Sequence, residues 1–115
     1  MKDSRRSSKR LNKNKIKSLI GLATKARKVV SGEFSTEKAV RSGQAKLVVI
    51  GEDASDNTKK KFRNMCAYYQ VPFEVSHTKE ELGHCMGKEY RASLAVLDEN
   101  FAGAILKITK DDPKY

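Results

Sequence analysis

The chain has no run of apolar residues approaching the roughly 18 that a membrane-crossing helix needs, and no apolar stretch behind its first charges such as a secretory signal carries. A soluble cytoplasmic protein without membrane attachment is expected. Cysteine is scarce too: only Cys66 and Cys85 occur, at no short spacing, which gives a disulfide framework or structural zinc site no support and suits a reducing compartment. Neither the phosphate-binding G-x-x-x-x-G-K-[ST] loop nor G-x-G-x-x-G is present, and no internal repeat is visible. Acidic residues are in deficit, 14 against 24 Lys and Arg, so the net charge of +10 favours a polyanionic partner. At 115 residues one core and one task are expected, without an appended catalytic domain.

The charge is concentrated at one end. Residues 1–17 hold eight basic side chains against Asp3 alone, so +7 of the +10 lies there. Residues 1–11 are Ser, Lys and Arg with almost nothing to bury, and ordering them costs entropy that no apolar contact offsets. A disordered basic arm over 1–11 is expected, followed by one domain over 12–112. Arg5, Arg6, Lys9, Arg10 and Lys13 can then contact phosphates without regard to sequence, releasing condensed counterions. A solvated tail that only aids solubility is the other reading of the same run.

Beyond the arm, apolar periodicity changes several times. Asn12 can cap a helix that buries Ile16, Leu19, Ile20, Ala23 and Ala26 and ends near Lys28. Val29 and Val30 read as a short extended segment turning at Ser31-Gly32, and a second helix runs from about Phe34 to Arg41. Lys46 to Gly51 is a β-branched apolar run suited to a strand covered on both faces. Ser55 caps a third helix that buries Thr58, Phe62, Met65, Cys66 and Tyr69 and leaves Lys59, Lys60, Lys61 and Arg63 mostly in water. Phe73 to Val75 is a brief strand. Thr78 and Glu81 then form a capping box for a short helix that Gly87 breaks. Ser93 to Leu97 is another buried-type strand, and Asp98 opens a last helix with Phe101, Ala104, Ile105 and Ile108 on one face, ending before Pro113. Alternation of this kind predicts an α/β fold, a three-layer α-β-α sandwich around a mixed sheet of about four strands.

Enzyme chemistry has little to work with. The imidazoles of His77 and His84 and the thiols of Cys66 and Cys85 would have to converge for a Cys-His nucleophile or a metal site, and the cysteines fall on apolar helix faces. Glu52, Asp53 and Asp56 lie between a strand and a helix, where carboxylates chiefly favour the helix dipole. No catalytic residue, metal or cofactor is assigned.

The sequence SGEFSTEKAVRSGQAKLVVIGEDAS, with VPFEV and TKEELG following in order, resembles the L7Ae/L30e ribosomal protein family, its small bacterial YlxQ-like branch in particular. The resemblance runs from about Lys15 to Ile108 and implies an α-β-α sandwich that binds RNA, in well-known members at kink-turns, where a duplex bends beside tandem sheared G·A pairs. Their reading motif, G-x-N-E-x-x-K, falls here on Gly32 to Lys38. Gly32 and Lys38 match; Phe34 and Ser35 stand in place of Asn and Glu, which removes an amide and a carboxylate from the base edges.

By this resemblance the RNA-binding residues are Gly32, Glu33, Phe34, Ser35 and Lys38, joined by Lys88, Tyr90 and Arg91 from a loop on the other side of the surface. Lys38 can donate to guanine O6 and N7, Gly32 lets backbone approach phosphate, and Phe34 can stack on a base. Tyr90 offers another stacking plane, a contact worth roughly 1–3 kcal/mol per base. Plainer roles exist for each: Phe34 as a hydrophobic staple, Ser35 as a cap, Lys38 as a solvated cation, and Tyr90 as a core edge with Arg91 lying across it. The expected function is non-catalytic binding of structured RNA by a monomer, kink-turn-like or ribosomal, in a ribonucleoprotein of the ribosome or its assembly. The alternative is a protein-docking module in translation that touches RNA only through its arm.

Overall fold

The computed structural model describes residues 2–111, with side chains over 12–110. Among the described residues five helices and four strands follow in the order α1 (Lys2–Lys25), β1 (Val29–Ser31), α2 (Glu33–Arg41), β2 (Leu47–Ile50), α3 (Asp56–Tyr69), β3 (Phe73–Val75), α4 (Lys79–Cys85), β4 (Ser93–Val96) and α5 (Glu99–Asp111). The strands form one mixed sheet, β1-β4-β2-β3. β4 runs antiparallel to both β1 and β2, and β2 runs parallel to β3.

The central strands explain their own composition. Every residue of β2 and of β4 is buried, because side chains alternate between two faces and both are covered. Leu47, Val49, Leu94 and Val96 point to one face, where they pack with Ile16 and Ile20 of α1, Leu82 of α4, and Ala102 and Ile105 of α5. Val48, Ile50 and Ala95 point to the other and meet Ala39 and Val40 of α2 and Phe62 and Cys66 of α3. The three-layer α-β-α sandwich is therefore α1, α4 and α5 on one side, the sheet, and α2 with α3 on the other.

Local chemistry sets most of the helix ends. The Ser55 Oγ accepts the Thr58 amide at 3.1 Å, and Thr78 and Glu81 make both hydrogen bonds of the capping box at 3.1 and 2.8 Å. Asp98 opens α5 by accepting the Phe101 amide at 3.0 Å. Asp53 does the same across 26 residues of sequence, its Oδ1 accepting the Lys79 amide at the start of α4 at 2.8 Å.

Some expectations need correction. The first helix extends N-terminal to Asn12, which is therefore interior rather than a cap, and it ends at Lys25 rather than near Lys28. Lys and Arg are good helix formers, so nothing between the polar leader and the apolar stripe breaks the helix. The side chains of residues 1–11, and with them the expected contacts of Arg5, Arg6, Lys9 and Arg10, lie outside the described residues. Tyr69 is exposed rather than buried: it is the last residue of α3, and Gln70 after it adopts a left-handed cap at φ 59°. Ala26 is likewise exposed, past the end of its helix. Among the described residues no helix is long and apolar enough to cross a membrane.

Candidate nucleic-acid interface

The chain leaves β1 at Ser31 and turns at Gly32, with φ 92° and ψ 157°, a combination essentially confined to glycine. The turn is pinned on both sides: the Gly32 amide donates to the Ser93 carbonyl at 3.0 Å, and its carbonyl accepts the Thr36 amide at 3.0 Å. No side chain caps the start of α2, so its first amides face outward with the positive end of the helix dipole. A Cβ on Gly32 would meet nothing within 4 Å, so the cost of Gly32→Ala is one of backbone alone. That substitution is expected to lower stability by about 1–3 kcal/mol, read as a fall in urea midpoint at constant m-value.

A second segment is held against this turn. The Arg91 Nε donates to the Ser31 Oγ at 2.8 Å, its Nη1 donates to the Tyr90 carbonyl at 2.9 Å, and its amide donates to the Lys79 carbonyl at 3.0 Å. The loop behind Arg91 lies directly on α4: a Cβ at Gly83 would come within 2.6 Å of the Glu89 carbonyl oxygen, too close for any side chain. Gly32 and Arg91, far apart in sequence, thus belong to one rim at the end of the sheet where β1 finishes and β4 begins.

Both aromatic residues of this rim point to solvent. Phe34 is 78% exposed and Tyr90 61% exposed. The plainer roles are not the ones they occupy: Phe34 is no staple, and Tyr90 is no core edge, with Arg91 turned onto Ser31. Ser35 lies inside α2 and Gly32 holds the cap position. Lys38 is exposed one turn after Phe34 and shares a shallow groove with it, Glu37, Arg41 and Ser42. Lys88 is exposed beyond Gly87, and Lys13 pairs loosely with Glu52 at 3.8 Å.

The residue missing from the sequence reading is Lys61. Partly exposed, it reaches from α3 to the Glu33 carboxylate at 2.8 Å and the Glu37 carboxylate at 2.8 Å, and Arg41 holds Glu37 from the other side at 2.9 Å. Two carboxylates that would repel phosphate beside Lys38 are thereby offset. No local pattern announces this contact, since Glu33 and Lys61 are 28 residues apart.

The Lys61 ammonium, with Arg41 second, holds the Glu37 carboxyl below the usual glutamate range. A carboxylate pKa depressed on folding contributes stability that is present above its unfolded value and lost as pH falls through its folded value. Wild type is therefore expected to be slightly more stable than Glu37→Gln at neutral pH. The gap should close in acid, as measured by urea unfolding across the carboxylate range.

The thiols and imidazoles do not converge. Cys66 lies in the α2/α3 layer, where burial pushes its thiol up to about 11, and Cys85 packs on the opposite side of the sheet. His77 is buried, its pKa lowered by desolvation, with Nε2 3.1 Å from the Lys13 carbonyl of α1. His84 is exposed. Among the described residues no group of His, Cys, Asp and Glu is arranged to hold a metal ion.

Sheet order, layer assignment and an outward-facing turn before α2 define a class: an α-β-α sandwich whose candidate binding rim lies at one end of a mixed sheet. The chain belongs to the ribosomal protein L7Ae/L30e/S12e/Gadd45 family, which it matches over residues 14–106, and within it to the bacterial YlxQ-like branch. It is 47% identical over 90 residues to the RNA-binding protein YlxQ of Bacillus subtilis (strain 168), covering 78% of this chain and 90% of that one. A Bacillus halodurans protein of unknown function superposes with a TM-score of 0.81 at 38% identity, over 84% of this chain and 97% of the other. The 15.5 kD RNA-binding protein of Giardia lamblia shares the fold, with a TM-score of 0.75 at 18% identity over 90% and 88% of the two chains.

Proposed function

We propose that this protein binds structured RNA at the rim formed by Gly32, Phe34, Lys38, Tyr90 and Arg91, and that binding, without catalysis, is its function. The observation that carries the reading is the 2.8 Å bond from Arg91 to Ser31, which joins the turn before α2 to the Tyr90 loop and makes one surface of two segments. On that surface outward amides and Lys38 suit phosphate and guanine edges, and Phe34 and Tyr90 suit the faces of unstacked bases. The description of the Bacillus subtilis relative as RNA-binding, and a family containing ribosomal proteins, support the same reading.

The RNA we propose is bent or interrupted, kink-turn-like or ribosomal, engaged in the cytoplasm on the ribosome or during its assembly. A protein that prefers the folded form of such an RNA shifts its population toward that form by the difference in affinity, and no further chemistry is required. Glu33, Ser35 and Lys88 complete the proposed contact set, with the arm adding sequence-independent attraction.

Gel-shift titration of three RNAs tests this: a kink-turn, the same RNA without its G·A pairs, and an unrelated duplex. Preference for the first is the expected result. Equal binding to all three would favour instead a protein-docking module that touches RNA only through its charge.

A further inference from the structure

The α2/α3 layer carries a second set of groups suited to nucleic acid, on the outer face of α3. Residues four apart on a helix lie in one stripe, and Lys60, Asn64 and Tyr68 are so spaced and all exposed, with Arg63 beside Lys60. Tyr68 is 81% exposed, more than any other large apolar side chain described. Its ring is steadied edge-to-face on Tyr69, with centroids 4.9 Å apart, and the Arg63 guanidinium sits 5.9 Å from the Phe73 ring centre. No described carboxylate pairs with Lys60 or Arg63, and α3 has no acidic residue after Asp56.

From these groups we infer that the outer stripe of α3 is a second RNA contact, taking a short unpaired strand that continues from the folded RNA held at the α2 turn. The inference rests on the RNA-binding reading above. A cation, an amide and an aromatic plane in line match the phosphate, base edge and base face that an unpaired strand presents together and a duplex does not. An acidic peptide would use the cations and leave the Tyr68 plane idle. A lipid surface would need more apolar area than Ala67 and Tyr68 supply. The stripe spans about 12 Å along the helix, at 1.5 Å per residue, room for a few nucleotides. α2 and α3 pack into one buried cluster on the same face of the sheet, so both contacts lie on one layer.

The test is fluorescence anisotropy with the full chain and two kinds of RNA: the kink-turn of the gel-shift titration as a bare folded core, and the same core with an unpaired tail of about six nucleotides at its 5′ or its 3′ end. One of the two tails is expected to raise wild-type affinity about fivefold or more, as a stacked base would. Lys60→Gln/Arg63→Gln/Tyr68→Ala should lose that gain, keep its affinity for the bare core, and lower the salt slope on the tailed RNA by about 1.4, at 0.7 per phosphate of single strand. Lys107→Gln/Lys110→Gln, on α5 in the opposite layer, should keep the gain. Core binding without a gain from either tail, or an equal loss in the α5 variant, overturns this inference alone. Failure of wild type to bind the core overturns the RNA reading with it.

Discussion

Lys38→Ala is expected to weaken binding of the preferred folded RNA by about 5–150-fold, the 1–3 kcal/mol of one good contact to a guanine edge, while an unstructured strand of equal length loses far less. The side chain is exposed on α2 and packs on nothing whose loss would unfold the protein, so the affinity change can be read directly. Its surroundings make the contact effective. Glu33 and Glu37 are both engaged by Lys61, and Arg41 adds to Glu37, so the field beside Lys38 is that of a cation and not of a cation between two free carboxylates. Parallel titration of both RNAs at fixed salt checks this. Equal losses on the two would remove Lys38 from the site.

The largest effect on stability is expected from Phe62→Ala. Phe62 is fully buried on the sheet-facing side of α3, in the cluster with Val40, Val48 and Ile50. Its removal leaves a cavity that a sheet and two helices cannot collapse to fill, at a cost of about 3–5 kcal/mol. That is a large share of the roughly 5–15 kcal/mol holding an ordinary domain together. Since α2 is seated on the same cluster, RNA affinity should fall alongside stability, unlike Lys38→Ala, where affinity alone falls. Urea unfolding of both variants, beside their RNA titrations, separates the two.

The elements were legible because each rests on nearby residues. A continuous β-branched run marked β2 and a short apolar run marked β4, alternation of helix and strand gave the sandwich, and T-x-x-E marked the start of α4. The turn at Gly32 was equally readable, since its neighbours are a short apolar strand and a helix. Where local reasoning erred, a long-range contact or an element boundary was decisive. Lys61, one of three lysines in a row, pairs with Glu33 and Glu37, which no neighbouring residue announces. Tyr69 had the right phase to be buried and the wrong position, at the last residue of its helix.

What the sequence alone determined is the order and kind of the elements and the residue types offered to a ligand, because hydrophobic period, capping and turn chemistry act over a few residues. Which of those residues meet was decided by tertiary structure. Ser31 and Arg91 are 60 residues apart, and they share a hydrogen bond because β1 and β4 lie side by side in the sheet. Strand pairing depends on the packing of the whole chain, and it is the pairing that turns two separate segments into one rim.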